Sequence, residues 1–206
     1  MKISIIVTNF NYSKFLDRAI RSAFVQNYPT DKFELIVVDD CSTDKSLEII
    51  ESYGDLISKI YLKDNVGLSK ARNIGVEKSN GEYIIFIDAD DFIHRDLIFI
   101  AGMFLDQNEM FDAVSVDYIT VDEKGHEIKR VAFSDNPLAC GIMYRKEKFI
   151  NIGMFDENLR VNEDKEFRER FNEKGYKMHN IELPLYRYRK HRESLTYNHN
   201  YKNNKI

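Results

Sequence analysis

Three carboxylates fall within four residues at Asp88-Ala-Asp-Asp91, directly after the apolar run Tyr83–Ile87. At that spacing they repel one another unless something positive sits between them. A hard divalent cation, held by one or two carboxylates and completed by phosphate oxygens and water, suits such a donor set. A solvated turn, or acids opening a helix, would show the same letters. Asp39-Asp40 is a second acidic pair after an apolar run. One of the two could accept a hydrogen bond from a nucleobase N–H, or the pair could cap a helix near Ser42. The stretch Asn65-Val-Gly-Leu-Ser-Lys-Ala-Arg-Asn73 carries Lys70 and Arg72 into a helix. A helix N-terminus with basic side chains suits phosphate, although an ordinary solvated face reads the same way. Glu163-Asp164 opens a later helix, where acids offset the helix dipole or one of them serves as a general base. His191 stands among Arg189, Lys190 and Arg192, as a surface residue or as part of a phosphate-binding end.

Two familiar nucleotide motifs are absent. None of the nine glycines forms Gly-x-Gly, and no Gly-x-x-x-x-Gly-Lys occurs. Phosphates would therefore be held by something other than a dinucleotide fingerprint or a P-loop.

The elements that must position these residues alternate. Ile3–Val7 and Tyr83–Ile87 are apolar runs suited to buried strands, and Phe33–Val38 and Ile57–Leu62 read as two further strands. Leu16, Ile20 and Phe24 recur at spacing four, which predicts a helix over 14–26 that stops before Pro29. Ser42 or Thr43 can cap the next helix, with Asp44 in its first turn. Helices follow over 67–78 and 96–107. Such alternation predicts a mostly parallel sheet with helices on both faces, and ligands of such sheets bind beyond the carboxyl ends of the strands. The early strands here end in polar residues: Thr8-Asn9, Asp39-Asp40, Asp64-Asn65 and the acidic turn at 88–91. The second half is less regular. Strands are expected at 113–121 and 128–133, a loop and short strand at 137–144, a helix at 165–173, and strands at 178–181 and 185–188. The last ten residues are expected to fray. The Phe and Tyr residues mostly follow helix and strand faces and read as core.

Composition narrows the classes. The chain has 206 residues, 43% hydrophobic and 31% charged, as in a folded globular protein. Its longest apolar run, 97–105, is well short of the ~20 residues a membrane span needs. No signal peptide is expected from the N-terminal sequence. Cys41 and Cys140 form neither a disulfide framework nor a metal pattern, which favours a reducing compartment. The net charge of −4 divides into +5 over residues 177–206 and −9 before them. An acidic body argues against non-specific nucleic-acid binding.

Taken in order, the motifs resemble glycosyltransferase family 2. They are Ser4-Ile-Ile-Val-Thr-Asn-Phe-Asn11, Ile36-Val-Val-Asp-Asp-Cys-Ser-Thr-Asp44, Asn65-x-Gly-x-x-x-Ala-Arg-Asn73, Asp88-Ala-Asp-Asp91, Gly153-Met-Phe-Asp-Glu157, Asn162-Glu-Asp164 and Tyr188-Arg-x-His-x-x-Ser194. The resemblance spans roughly residues 1–196. It implies an α/β GT-A fold, with a Rossmann-like nucleotide-sugar half over 1–110, a mixed acceptor half over 111–196, a tail over 197–206, and little beyond one catalytic domain. It implies an inverting, nucleotide-sugar-dependent transferase that uses Mg2+ or Mn2+. Thr8 and Asp40 would hold the base, with uracil expected, and Asn9 and Asp39 beside them. Arg72 would face the nucleotide or its phosphates, with Arg189 on the same donor side. Asp88 and Asp90 form the Asp-x-Asp pair, Asp90 being the stronger metal ligand and His191 closing over the metal or diphosphate. Asp164 would be the general base, with Glu163 its neighbour. The implied partners are a nucleotide-sugar donor and a saccharide or lipid-linked acceptor. A cytoplasmic location is expected, with peripheral contact at the inner membrane face through the basic C-terminal segment. Cys41 departs slightly from the family pattern. A nucleotidyltransferase should have a Gly-rich basic loop after its first strand, and Thr8–Ser13 has no Gly, Lys or Arg. A phosphoacceptor domain should have its acidic pair after the first strand, not the second. An inactive nucleotide-sugar-binding module stays open, although Asp90 and Asp164 are both present.

Overall fold

The structure, a computed structural model, describes residues 2–159 and 161–194; the tail expected at 197–206 lies outside them. The first half runs β1 (Ile3–Asn9), α1 (Ser13–Phe24), β2 (Phe33–Asp39), α2 (Ser46–Ser52), β3 (Ser58–Tyr61), α3 (Leu68–Lys78) and β4 (Tyr83–Asp88). The second half continues β5 (Phe92–Ile93), α4 (Leu97–Gln107), β6 (Ala113–Val121), β7 (Glu127–Val131), β8 (Ile142–Arg145), α5 (Lys146–Asn151), α6 (Glu163–Glu173) and β9 (Met178–Arg189). One sheet takes the order β3-β2-β1-β4-β8-β6-β9-β5, with β7 paired to β6.

Strands β3, β2, β1 and β4 are parallel. Every residue of β1 is buried, and β2 and β4 nearly so. Their apolar, β-branched runs therefore have cover on both faces. Helix α1 buries the stripe Phe15, Leu16, Ala19, Ile20 and Ala23, and both α1 and α3 pack on β1 and β2. Gly75 lets α3 lie close to the sheet, since a Cβ there would sit 2.5 Å from Ile6 Cγ2.

The second half is mixed, as expected. Strand β8 pairs antiparallel with β4 and β6, while β9 runs parallel to β6. An aromatic cluster of Tyr144, Phe149, Phe155, Phe167 and Phe171, with Phe149 and Phe167 centroids 4.6 Å apart, fixes α6 against this part of the sheet.

Four local expectations change. The two strands at 178–181 and 185–188 are one strand, β9, whose register against β6 shifts around Asp117; the bulge absorbs Pro184. The cap before α2 is neither Ser42 nor Thr43. The residue before α2 is Lys45, which makes no side-chain cap; Asp44 Oδ1 accepts the Ser46 N–H at 2.9 Å, and the Ser42 hydroxyl accepts the Asn11 N–H at 2.9 Å. Helix α6 begins at Glu163 rather than at 165, with both acids in its first turn as expected. Strand β5 and helix α5 were not expected. No helix among the described residues is long and apolar enough to cross a membrane.

Candidate active site

The parallel register sets Thr8 opposite Val38 and Asp88, and Asn9 opposite Asp39. The strands therefore release the chain at one edge, where a ligand crevice belongs. A cleft of about 790 Å³ opens there, a size suited to a small organic ligand. Its walls come from the ends of β1, β2 and β4, the start of α3, residues 136–140, and residues 157–159 and 161–165 leading into α6.

At one end, Thr8 is 6% exposed, and its Oγ1 has no partner among the described residues; the same holds for Asn9 Oδ1. Both residues line the cleft. Asp40 lines it too. Its carboxylate accepts the Val66 N–H at 2.7 Å and the Gly67 N–H at 2.9 Å, which holds the loop before α3. Asp39 does not line the cleft. Its oxygens accept Asn9 Nδ2 at 2.7 Å and the Ser42 N–H at 2.8 Å. It braces the loops that follow β1 and β2.

Carboxylate oxygens of Asp88, Asp90 and Asp91 lie within 4.8 Å of one another. Asp91 is buried, accepting the Tyr186 hydroxyl and the Arg189 N–H, each at 2.7 Å. Burial, then the neighbouring charges of Asp90 and Asp88, push its carboxyl well above the usual range. Burial raises Asp90 as well and Asp88 adds to it, with His191 opposing. Acids held this close, Asp91 buried and the other two partly so, suit a hard cation, which would replace their mutual repulsion with attraction. Both Asp91 oxygens are engaged, so Asp88 and Asp90 are the residues fitted to hold it.

His191 and Arg189 support this turn from behind and do not line the cleft. His191 Nε2 lies 2.8 Å from Asp90 Oδ2, with the ring packed 4.7 Å from Phe15 and edge-on to Tyr12. Arg189 donates to the backbone carbonyls of Asp90 at 2.6 Å and Glu123 at 2.7 Å. Its guanidinium sits near the rings of Phe15 and Phe92. The end of β9 and the residues after it bring both residues against the Asp88–Asp91 turn, where they position it.

Arg72 links two acids at the cleft wall. It borders the cleft, yet it is 1% exposed and donates to Asp88 and to Glu163, each at 2.7 Å. Two carboxylates thus engage the group expected to meet phosphates, and Arg72 ties the acidic turn to the start of α6. Glu163, buried in that pair, is a brace. Its neighbour Asp164 lines the cleft with a side chain 21% exposed. Asp164 Oδ2 accepts Arg168 Nη1 at 2.7 Å.

Several supporting residues escaped sequence reasoning. Tyr12 lines the cleft and packs on His191; its place in the polar loop after β1 was the available signal. Tyr186 and Arg168 carry none beyond their elements. Asn73 exchanges side-chain hydrogen bonds with the Phe155 backbone, at 2.9 and 3.1 Å. That contact seats Gly153-Met-Phe-Asp-Glu157 against α3 and gives the segment a structural role.

Parallel strands ending at such a cleft, beside an acidic turn, define an α/β scaffold with its ligand crevice at the carboxyl edge of the sheet, and its structural neighbours are GT-A glycosyltransferases. The profile of Glycosyl transferase family 2 matches residues 4–180, so the chain belongs to that family. A Haemophilus influenzae protein described as an uncharacterized glycosyltransferase is 40% identical over 135 residues, covering 64% of this chain and 53% of that protein. The poly(ribitol-phosphate) beta-N-acetylglucosaminyltransferase TarS of Staphylococcus aureus is 36% identical over 114 residues, covering 52% of this chain and 19% of TarS. The crystal structure of TarS residues 1–349 in complex with UDP-GlcNAc superposes with a TM-score of 0.79 at 25% identity, covering 94% of this chain and 60% of that one. The chain thus spans from about a fifth to somewhat over half the length of these relatives.

Proposed function

We propose that this chain transfers a sugar from a nucleoside diphosphate sugar, UDP-linked, to an acceptor hydroxyl in glycan or polysaccharide synthesis, with inversion at the anomeric carbon. The observation that carries the reading is that one cleft joins three features. These are the Thr8 hydroxyl with Asp40, the Asp88–Asp90 turn, and Asp164 at the start of α6. The TarS complex with UDP-GlcNAc supports the choice of uridine.

In this mechanism Thr8 and Asp40 hold the base, and the acidic turn faces the diphosphate. Asp90 and Asp88 would hold a divalent cation, Mg2+ or Mn2+, which would supply charge stabilisation to the leaving diphosphate. Arg168 holds Asp164 Oδ2, which leaves Oδ1 to take the acceptor hydroxyl proton. As the acceptor oxygen bonds to the anomeric carbon, the bond to the diphosphate breaks, and the diphosphate leaves with the electron pair. One base and one leaving group make a single in-line displacement, which inverts the centre. Paired carboxylates flanking a glycosidic bond would instead serve hydrolysis; here the acids divide between metal and base. The acceptor is a saccharide or lipid-linked saccharide, met in the cytoplasm or at the inner membrane face.

The test is Asp164→Asn, measured by UDP calorimetry with and without Mn2+ and by transfer from a panel of UDP-sugars. UDP affinity should hold while turnover falls about 10²–10⁴-fold. Full turnover in the variant would remove Asp164 as the base, and equal UDP affinity with and without Mn2+ would remove the metal.

A further inference from the structure

A second hollow, of about 300 Å³, lies where α1, β5 and the turn joining β6 to β7 meet, and it shares no residue with the cleft. Arg18, Arg95, Arg187 and His94 line it, against one carboxylate, Glu127. This concentration of positive charge runs against a chain whose first 176 residues carry −9.

The charges are unevenly paired. Arg187 meets Glu127 at 3.0 Å, and His94 meets Asp96 at 3.4 Å. Arg18 and Arg95 have no carboxylate partner among the described residues. Arg18 is held by neutral groups: it donates to the Lys124 carbonyl at 3.2 Å, and its guanidinium lies 3.6 Å from the centre of the Phe92 ring. Gly125 makes room for it, since a Cβ there would fall 1.9 Å from Arg18 Nη1, and the backbone φ is +91°. Partial burial lowers the Arg18 pKa. Its charge also acts on Arg189, whose own pKa is lowered first by burial and then by Arg18. Arg18 and Arg95 thus line one hollow, both exposed and neither with a carboxylate partner among the described residues.

We propose that this hollow is an anion site that binds a phosphate group, using the guanidinium forks of Arg18 and Arg95, with Arg187 and His94 at its rim. Planar forks match phosphate oxygens in pairs. The shared chemistry is a phosphoester, which a soluble organic phosphate or an anionic phospholipid headgroup can supply. The site lies outside the transfer cleft and stands whether or not the proposed sugar transfer holds.

The test uses the full chain and two probes. Inorganic phosphate is titrated by calorimetry. Vesicles of phosphatidylcholine with phosphatidylglycerol are compared with phosphatidylcholine alone by co-sedimentation. Arg95 is exposed, so Arg95→Ala carries little risk to folding; Arg18→Gln is the second variant, checked by thermal melting. Each should weaken binding about tenfold, the worth of one charge-assisted contact, while Mn2+-dependent UDP affinity is unchanged. Phosphate binding lost in the variants supports a soluble source. Binding confined to phosphatidylglycerol vesicles and lost in the variants supports a headgroup. Binding to neither probe, or binding that both variants leave intact, overturns the site.

Discussion

Replacing Arg72 with methionine separates a brace from a ligand. Methionine keeps much of the buried volume and removes both ion pairs. Breaking a buried pair by deleting one partner costs about 3–5 kcal/mol, because the other charge stays desolvated. Glu163, with a side chain 9% exposed, should meet most of that cost, whereas Asp88, at 30%, keeps some water and meets less. A loss of about 3 kcal/mol is expected, which lowers the melting temperature by about 6–12 °C for a chain of this size. The assay is urea and thermal unfolding of the parent, Arg72→Met, Glu163→Gln and the double variant. If the pair acts as described, the double variant is less destabilised than the two single losses added, with a coupling of about 2 kcal/mol. A single-variant loss below about 1 kcal/mol, or simple additivity, would refute the brace and return Arg72 to the ligand.

Two further changes probe other parts of the molecule. Thr8→Val keeps the shape of a buried side chain whose hydroxyl has no partner among the described residues. Calorimetry should show UDP affinity down about tenfold with melting temperature held or raised; an unchanged affinity would remove Thr8 from the base site. Asp117 offers a pH test away from the cleft. Burial raises its carboxyl, but Arg130 at 2.8 Å, the Phe133 N–H at 3.0 Å and Asn180 outweigh it and hold the group below the usual range. A depressed native pKa contributes stability that is present above the unfolded value, about 3.9, and lost as pH falls through the native value. Asp117→Asn should therefore be less stable at neutral pH and lose less on acidification below about pH 4. Parallel curves for parent and variant would show that the carboxylate contributes nothing.

Legibility differed between the halves for a physical reason. Strands β1, β2 and β4 are buried on both faces, so burial selects an unbroken apolar run that stands out in sequence. Strand β5 has two residues and exists only because β9 pairs with it, so it leaves no periodic trace. Strand β9 reads as two pieces, 178–181 and 185–188, and only its partner β6 supplies the bulge that carries the strand through Pro184. The order of the motifs identified the family, while the direction of individual side chains stayed hidden. Asp39 and Asp40 are adjacent letters, yet one braces two loops and the other lines the cleft, because the chain leaves the strand between them.

The sequence by itself determined the sheet's parallel half, the edge where a ligand belongs, and the acidic residues gathered there. Those follow from local hydrophobic pattern and from which residue types stand at strand ends. Tertiary structure alone decided which charges meet. Arg72 finds Glu163 across 91 positions, and His191 finds Asp90 across 101, contacts that no local preference encodes. They form because β9 and α6 are carried back to the strand ends by the packed aromatic cluster and the mixed half of the sheet. Burial there removes the water that would otherwise keep these charges apart.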